Sequence, residues 1–485
     1  PGVLIGFNEA TAWGITNVGH DVLDWYRIQW TDDTRTTYRL DGKAVEPEWV
    51  TDTIWVNGQA EPEIVRTPWT VFGPVVYDQP ESGYRDLAMR WLAHDPPRLP
   101  DTDQIEVFLS LMRNTGLETY REALRGFAIP ASNIVYANQA GDVALTVTGQ
   151  FPLRQRGQGR LVQNGTKSEA LWPGFVPFDH IPRSVNPERQ FVASANQRST
   201  DTDYPYYYYG GFADYRGRYL NRRLDSMQNV RPEDFMALQH DAHNLLAEEA
   251  LPQMLDLLKQ AELPAHLASR LEQLRNWDYR HTSESIEPVF FQMWYDSLYR
   301  YTFDEVYALQ QEERPLLYPE NWRLIELLET ARQDPIFDDQ STSERETALE
   351  MVHQAFMASS QAADLLLETD GYDWNTHRGS SIPHLARIPG MGRSSLQTDG
   401  WKYAPNALSA TFGPSWRMVV SLEDPIRAWG VLPGGSSGNP GSPWYDYGID
   451  EWSKGEYFEL YLYPEAAAVP NPYQQLVFDN TTRQK

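Results

Sequence analysis

Apolar and polar positions alternate with two different periods along this chain. In the first third the period is short. Val3 to Phe7, Ala12 to Thr16 and Trp25 to Trp30 are β-rich runs set apart by Gly, Asn and Asp, and Thr67 to Tyr77 is another, interrupted at Gly73-Pro74. Helical spacing is predicted over Gln104 to Arg113 and Leu117 to Arg125. A hairpin follows, NIVYAN turning at Gln139 to Asp142 into VALTVTG, and Gln190 to Asn196 reads as one more strand. From Arg216 the period changes. Arg216 to Met227, Pro232 to Lys259, Ala265 to Trp277, Val289 to Leu309, Asn321 to Gln333 and Thr342 to Glu368 carry helical spacing, with Pro232 at a helix start, where its missing N–H costs little. The last hundred or so residues return to short strands and Gly/Pro loops. Sheet, helices, sheet in one chain predict an α+β fold with helices inserted into a sheet system. The divisions expected are 1–227, a helical insertion over 228–370, and a return to the sheets over 371–485.

Composition adds limits. Of the 485 residues, 41% are hydrophobic, enough for a core, and no apolar run is long enough to cross a membrane. Without cysteine there is neither disulfide nor thiolate chemistry. The formal net charge of −26, from 41 basic and 67 acidic residues, would repel phosphates, so nucleic acid is not an expected partner; the acidity reads as a solvated acidic shell, for which a salt-adapted source is the expected reason. The chain opens on Pro1 without a start Met and reads as a piece of a longer gene product, so that a leader could have been lost with the missing start.

Several motifs carry potential chemistry. Gly434 to Gly438 matches G-x-S-x-G, which would make Ser436 the nucleophile of an α/β-hydrolase; that elbow needs a helix behind it, and the following NPGSP is a poor helix start. His240 and His243 are three apart and could share a helical face, as a metal pair or as a polar face. Tyr206 to Tyr209 could stack on a ligand or divide between a core face and a wet face. In AWGITNVGHDVLDWY, residues 12–26, Asp21 and Asp24 lie across a tight turn with the Leu23 carbonyl between them. That is a donor set for a hard cation, and equally ordinary turn chemistry.

The same AWGITNVGHDVLDWY resembles the penicillin amidase family of N-terminal nucleophile hydrolases, in the part of its β-chain downstream of the catalytic serine. TGQFPLR (148–154), FVASANQ (191–197), YRGRYLNRRL (215–224), WNTHRG (374–379), GPSWRMVVSL (413–422) and GSSGNPGSPWYDYGIDEW (435–452) are similar to family segments in the same order. The resemblance implies an αββα sandwich and an amidohydrolase whose nucleophile is a β-chain N-terminal Ser ahead of Pro1, with its own α-amino group as base. By position, the Asn17 backbone N–H and the Asn196 side-chain amide match the oxyanion donors, and Arg216 matches an arginine that orients the amine and the asparagine. Ile5 and Ile15 match acyl-pocket positions. A structural calcium site is implied at Asp21, the Leu23 carbonyl, Asp24 and the Pro152 carbonyl, with Asp203 or Asp201 as a substitute for a later Asp; the family adds a Glu from its α-chain. Trp444 stands where the family often has His. The resemblance further implies an α-chain partner cut from the same precursor by autoproteolysis, a periplasmic or secreted location, and substrates such as β-lactam side-chain amides or acyl-homoserine lactones. A homologue without catalysis, serving as a scaffold, is the non-enzyme alternative.

Overall fold

The computed structural model describes residues 2–79, 84–94, 104–259, 261, 263–311, 317–368 and 372–470. Pro1 lies outside them. Four layers place the site. The first is the helix pair Gln104–Met112 and Leu117–Leu124. Their apolar faces, Val107, Leu111, Tyr120 and Leu124, pack with Trp13, Ile134 and Tyr136 of the adjoining sheet, and the Tyr120 hydroxyl donates to the Ile134 carbonyl (3.0 Å). That sheet is antiparallel, in the order Gly6–Phe7, Thr11–Asn17, Ser132–Asn138, Val143–Thr148, Arg183–Val185. Its register sets Ile15 opposite Ile134 and Asn17 opposite Ser132. Across a cleft lies a three-stranded sheet, Arg417–Ser421, Arg427–Val431 and Phe458–Leu460. The helix Pro232–Gln239 packs on its first strand, where the Gln239 amide donates to the Met418 carbonyl (3.0 Å).

A further six-stranded sheet extends from the site turn. Its order is Gln163–Asn164, Leu23–Arg27, Tyr84–Trp91, Gly73–Gln79, Glu63–Thr70, Glu48–Ile54, and only the first pair is parallel. The outer hairpin of this sheet, Glu48–Ile54 with Glu63–Thr70, leaves Trp49, Ile54, Ile64 and Val65 exposed. Between the two halves of the sandwich the chain builds a helical body around one large core. There Trp294 meets Phe356 edge to face (5.0 Å) and donates its indole N–H to the Val352 carbonyl (3.1 Å).

Several expected elements differ from those observed: Thr342 to Glu368 is helical only over Ala348–Leu367, opened by the Thr347 and Glu350 capping box, and of Val3 to Phe7 only Gly6–Phe7 is strand. Pro232 to Lys259 is two helices, Pro232–Gln239 and Leu245–Leu258. The break occurs where Asp241 accepts from the His243 N–H and Asn244 from the Leu246 and Ala247 N–H groups, side-chain acceptors that replace helical carbonyls. Val289 to Leu309 divides into Glu287–Thr302 and Asp304–Gln311, at a buried Phe303 outside the helical region (φ −120°, ψ 35°). Gln190 to Asn196 is not a strand; the segment is irregular and ends with Asn196 at φ +66°.

Candidate active site

The Thr11–Asn17 strand ends at an exposed Asn17, and the irregular 191–199 segment crosses it. There the Asn196 Nδ2 donates to the Asn17 carbonyl (2.9 Å), and the Arg216 Nη2 donates to the Asn196 Oδ1 (2.9 Å). An arginine only donates, so this second bond decides which end of the Asn196 amide is oxygen. Nδ2 carries two hydrogens. One is used by Asn17, and among the described residues the other has no acceptor. Arg216 sits in the first turn of the Tyr215–Ser226 helix. It is partly buried, which lowers its pKa, and has no carboxylate partner among the described residues. Its charge therefore reaches the Asn196 amide without a neutralising partner.

Four polar side chains missed in the sequence reading fix this crossing. The Asn133 amide donates to the Asn17 carbonyl and the Thr16 hydroxyl (both 3.3 Å), and accepts from Ser199 (2.9 Å). The Thr16 and Ser194 hydroxyls share a short hydrogen bond. Nothing in local spacing marks a Ser, Thr or Asn in a strand or in an irregular segment as a brace, so no sequence signal would have found them.

Ile5 and Ile15 line one cleft of about 510 Å³ between the two inner sheets, with Gly14, Tyr136, Trp416 and Met418. Ile15 also touches the core under the first helices. This cleft is mostly apolar and runs beside Thr16, next to the Asn17–Asn196 crossing. A larger polar cleft, about 840 Å³, flanks the other side of the 193–201 segment and is lined by Arg183, Arg189, Arg198, Asp201 and Asp203.

Beyond Asn17 the chain turns sharply. Gly19 has φ +74°, and a Cβ there would lie 2.2 Å from the Gly211 carbonyl oxygen, so glycine is required. His20 is buried between Phe151 (4.4 Å) and Tyr208 (4.7 Å), and burial pushes its pKa down to about 3, so it is neutral. Asp21, Leu23 and Asp24 come together as expected, but around Arg154. Its guanidinium donates to the Asp21 and Leu23 carbonyls and to Asp24 Oδ2 (3.2 Å), and its Nη2 lies 3.1 Å from Asp24 Oδ1. Burial raises the pKa of Asp21, against the pull of Arg154. Pro152 is buried two residues before Arg154. Asp203, like Asp201, is exposed and lines the polar cleft beside the 193–201 segment. Calcium takes six to eight oxygens; here the guanidinium takes the Asp21 and Leu23 carbonyls and Asp24 Oδ2, and the one buried oxygen it leaves without a hydrogen bond, Asp24 Oδ1, lies 3.1 Å from its Nη2, where a second cation would meet like charge. No group of three His, Cys, Asp or Glu able to hold a metal occurs among the described residues. As they stand, these residues do not fit calcium.

The remaining motifs separate. No helix follows Ser436 until Ile449–Lys454, so the nucleophile-elbow alternative fails. His243 bonds Glu248, while His240 is turned toward the Trp452 carbonyl (3.5 Å), so the two do not form a metal pair. The tyrosines divide between faces: Tyr208 is buried against Phe212 (5.3 Å), and Tyr207 and Tyr209 stack on each other (6.1 Å).

Residues 1–468 match the family model for penicillin amidase. The acyl-homoserine lactone acylase QuiP of Pseudomonas syringae pv. tomato is 25% identical over 508 residues, covering 95% of this chain and 60% of that protein. The penicillin acylase 2 proenzyme of Pseudomonas sp. strain SE83 is 30% identical over 241 residues, covering 48% of this chain and 30% of that protein. The chain thus spans about 60% of the length of the QuiP relatives it matches. In structure it is similar to a thermostable penicillin G acylase from Alcaligenes faecalis, with a TM-score of 0.74 at 16% identity over 99% of this chain and 90% of that one, which shows the fold of the N-terminal nucleophile hydrolases. The chain belongs to the penicillin amidase family.

Proposed function

We propose that this chain is the β-chain part of an amidohydrolase that cleaves N-acyl amides through an acyl-enzyme. The observation that carries the reading is the run of bonds Arg216–Asn196–Asn17, which holds an amide N–H free beside an apolar cleft. The nucleophile is a serine hydroxyl from the β-chain N-terminus, outside this chain, and its own α-amino group takes the proton as the oxygen attacks the amide carbon. The negative charge arising on the carbonyl oxygen is met by the Asn17 backbone N–H and the free Asn196 N–H, with Arg216 behind them. Collapse expels the amine, which takes up the proton. Water then attacks the ester, releasing the carboxylic acid and restoring the serine.

The acyl group enters the cleft of Ile5 and Ile15, whose lining favours an apolar chain. The names of the relatives suggest acyl-homoserine lactones or penicillins as the amides to try. An α-chain from the same precursor completes the molecule. In support, the hairpin leaves four large apolar side chains, Trp49, Ile54, Trp55 and Ile64, exposed side by side, as a surface covered by another chain would. Autoproteolytic maturation and export to the periplasm or the medium belong to the same proposal. The test is a panel of N-acyl homoserine lactones and penicillins offered to protein made from the full gene. Parent protein is expected to release the free amine, and Asn196→Ala to lower kcat by about 10²–10³-fold. An Asn196→Ala variant as fast as the parent, or a parent inactive on the panel, would count against the reading.

A further inference from the structure

We propose that the buried guanidinium of Arg154, and not a divalent cation, closes the Asp21–Asp24 turn behind the active-site strand, so that this scaffold is metal-independent. The proposal stands apart from the catalytic reading and does not need it.

The acceptors around Arg154 are of the kind a hard cation would take: two main-chain carbonyls, Asp21 and Leu23, and two carboxylates, Asp24 and Asp21. The guanidinium spends all three nitrogens on them. Nε donates to Asp24 Oδ2 (3.2 Å), Nη2 donates to the Leu23 carbonyl and lies 3.1 Å from Asp24 Oδ1 as a charge contact without a hydrogen bond, and Nη1 reaches the Asp21 carbonyl and lies 3.8 Å from its carboxylate. The Arg154 side chain is 1% exposed and that of Asp24 0%, so the pair is shut off from water, where a carboxylate needs a close cationic partner. The cradle is also closed sterically. Trp172 donates its indole N–H to Asp24 Oδ2 and places its ring 5.4 Å from the guanidinium carbon. Gly159, at φ +89°, lies so close that a Cβ there would be 2.8 Å from Asp24 Oδ1 and 3.3 Å from the Arg154 Cζ. A divalent ion would therefore have to displace the guanidinium or sit against it, like charge on like charge.

The turn held in this way leads back to the site. Asp21 N–H donates to the Tyr209 carbonyl (2.9 Å), and the Val18 N–H, directly after Asn17, to the Ala131 carbonyl (3.3 Å). Arg154 is thus a positioning residue for the strand end that carries Asn17.

The test uses protein made from the full gene. Elemental analysis and thermal melting with EGTA or with millimolar calcium chloride are expected to find no stoichiometric calcium and no change in Tm. Arg154→Ala leaves Asp21 and Asp24 facing each other unpaired. It is expected to melt lower and to regain part of its Tm on adding calcium, a response that simple loss of packing would not produce. A parent holding about one equivalent of calcium whose Tm falls on chelation overturns the proposal, as does an Arg154→Ala variant melting with the parent. If that variant does not fold, the parent's calcium content and its response to chelation decide the matter alone.

Discussion

Asn196 occupies the left-handed region at φ +66°, a conformation that asparagine tolerates better than most residues and that surrounding bonds must hold. Its carbonyl accepts from the Ala213 N–H (2.9 Å), and its neighbour Ala195 donates to the Gln197 side chain (2.7 Å). That local strain aims the side chain at Asn17, and Arg216 then fixes its rotation. A hydrogen bond to a charged group contributes about 1.5–3 kcal/mol. Arg216→Met is therefore expected to lower kcat by roughly 10–100-fold on the acyl amide that the parent cleaves best, with KM little changed, while Arg216→Lys recovers part of the loss. Steady-state kinetics on the two variants checks this, and a change confined to KM would assign Arg216 to substrate binding instead. The type and approximate place of these residues were legible in the sequence, through its resemblance to the family. Their bonding was not, because Asn133, Ser194 and Ser199 look like any polar residues until the chain crossing is formed.

Elements were legible where one local signal dominated. The Ser132–Asn138 and Val143–Thr148 hairpin alternates cleanly about its turn. They were misread where side chains compete with the backbone. Apolar spacing runs through His240–Asn244 without a break, yet Asn244 starts a new helix by accepting two N–H groups and also bonds the buried His281 ring (2.9 Å). Asn244→Ala removes a buried cap and leaves its donors unsatisfied, which is expected to destabilise the protein by about 1–3 kcal/mol. Denaturant melts would read this as a lower midpoint at unchanged slope. The 191–196 segment was misread for a different reason: its alternation suits a strand, but there it braces the site through side chains and pairs with no sheet.

For the molecule as a whole, burial of histidines links stability to pH. His240 is pushed from 6.5 down to about 4, by burial first and then by Arg417 nearby. His281 is held well below its ordinary value by complete burial, with Arg378, His243 and His377 adding to the effect. For a base with a lowered folded-state pKa, the unfolded chain takes up a proton below 6.5 that the folded protein refuses. Stability is then complete above about pH 6.5 and falls as the pH drops toward 4, by about 1.4 kcal/mol per pH unit for each such group. Calorimetric Tm values between pH 7.5 and 4.5 are expected to follow that slope, and a flat profile would show that these rings are not excluded from protonation. What the sequence determined by itself was local or inherited: periodicity, turn and cap chemistry, an acidic surface, and family segments in order, because these depend on neighbours along the chain. The tertiary structure alone decided which partner each polar group found. Asn196 bonds a carbonyl 179 residues away, and Arg154 reaches back 130 residues or more to the turn expected to hold calcium. Such pairings are selected by which surfaces pack together once the two sheets close, and short-range pattern carries no record of that choice.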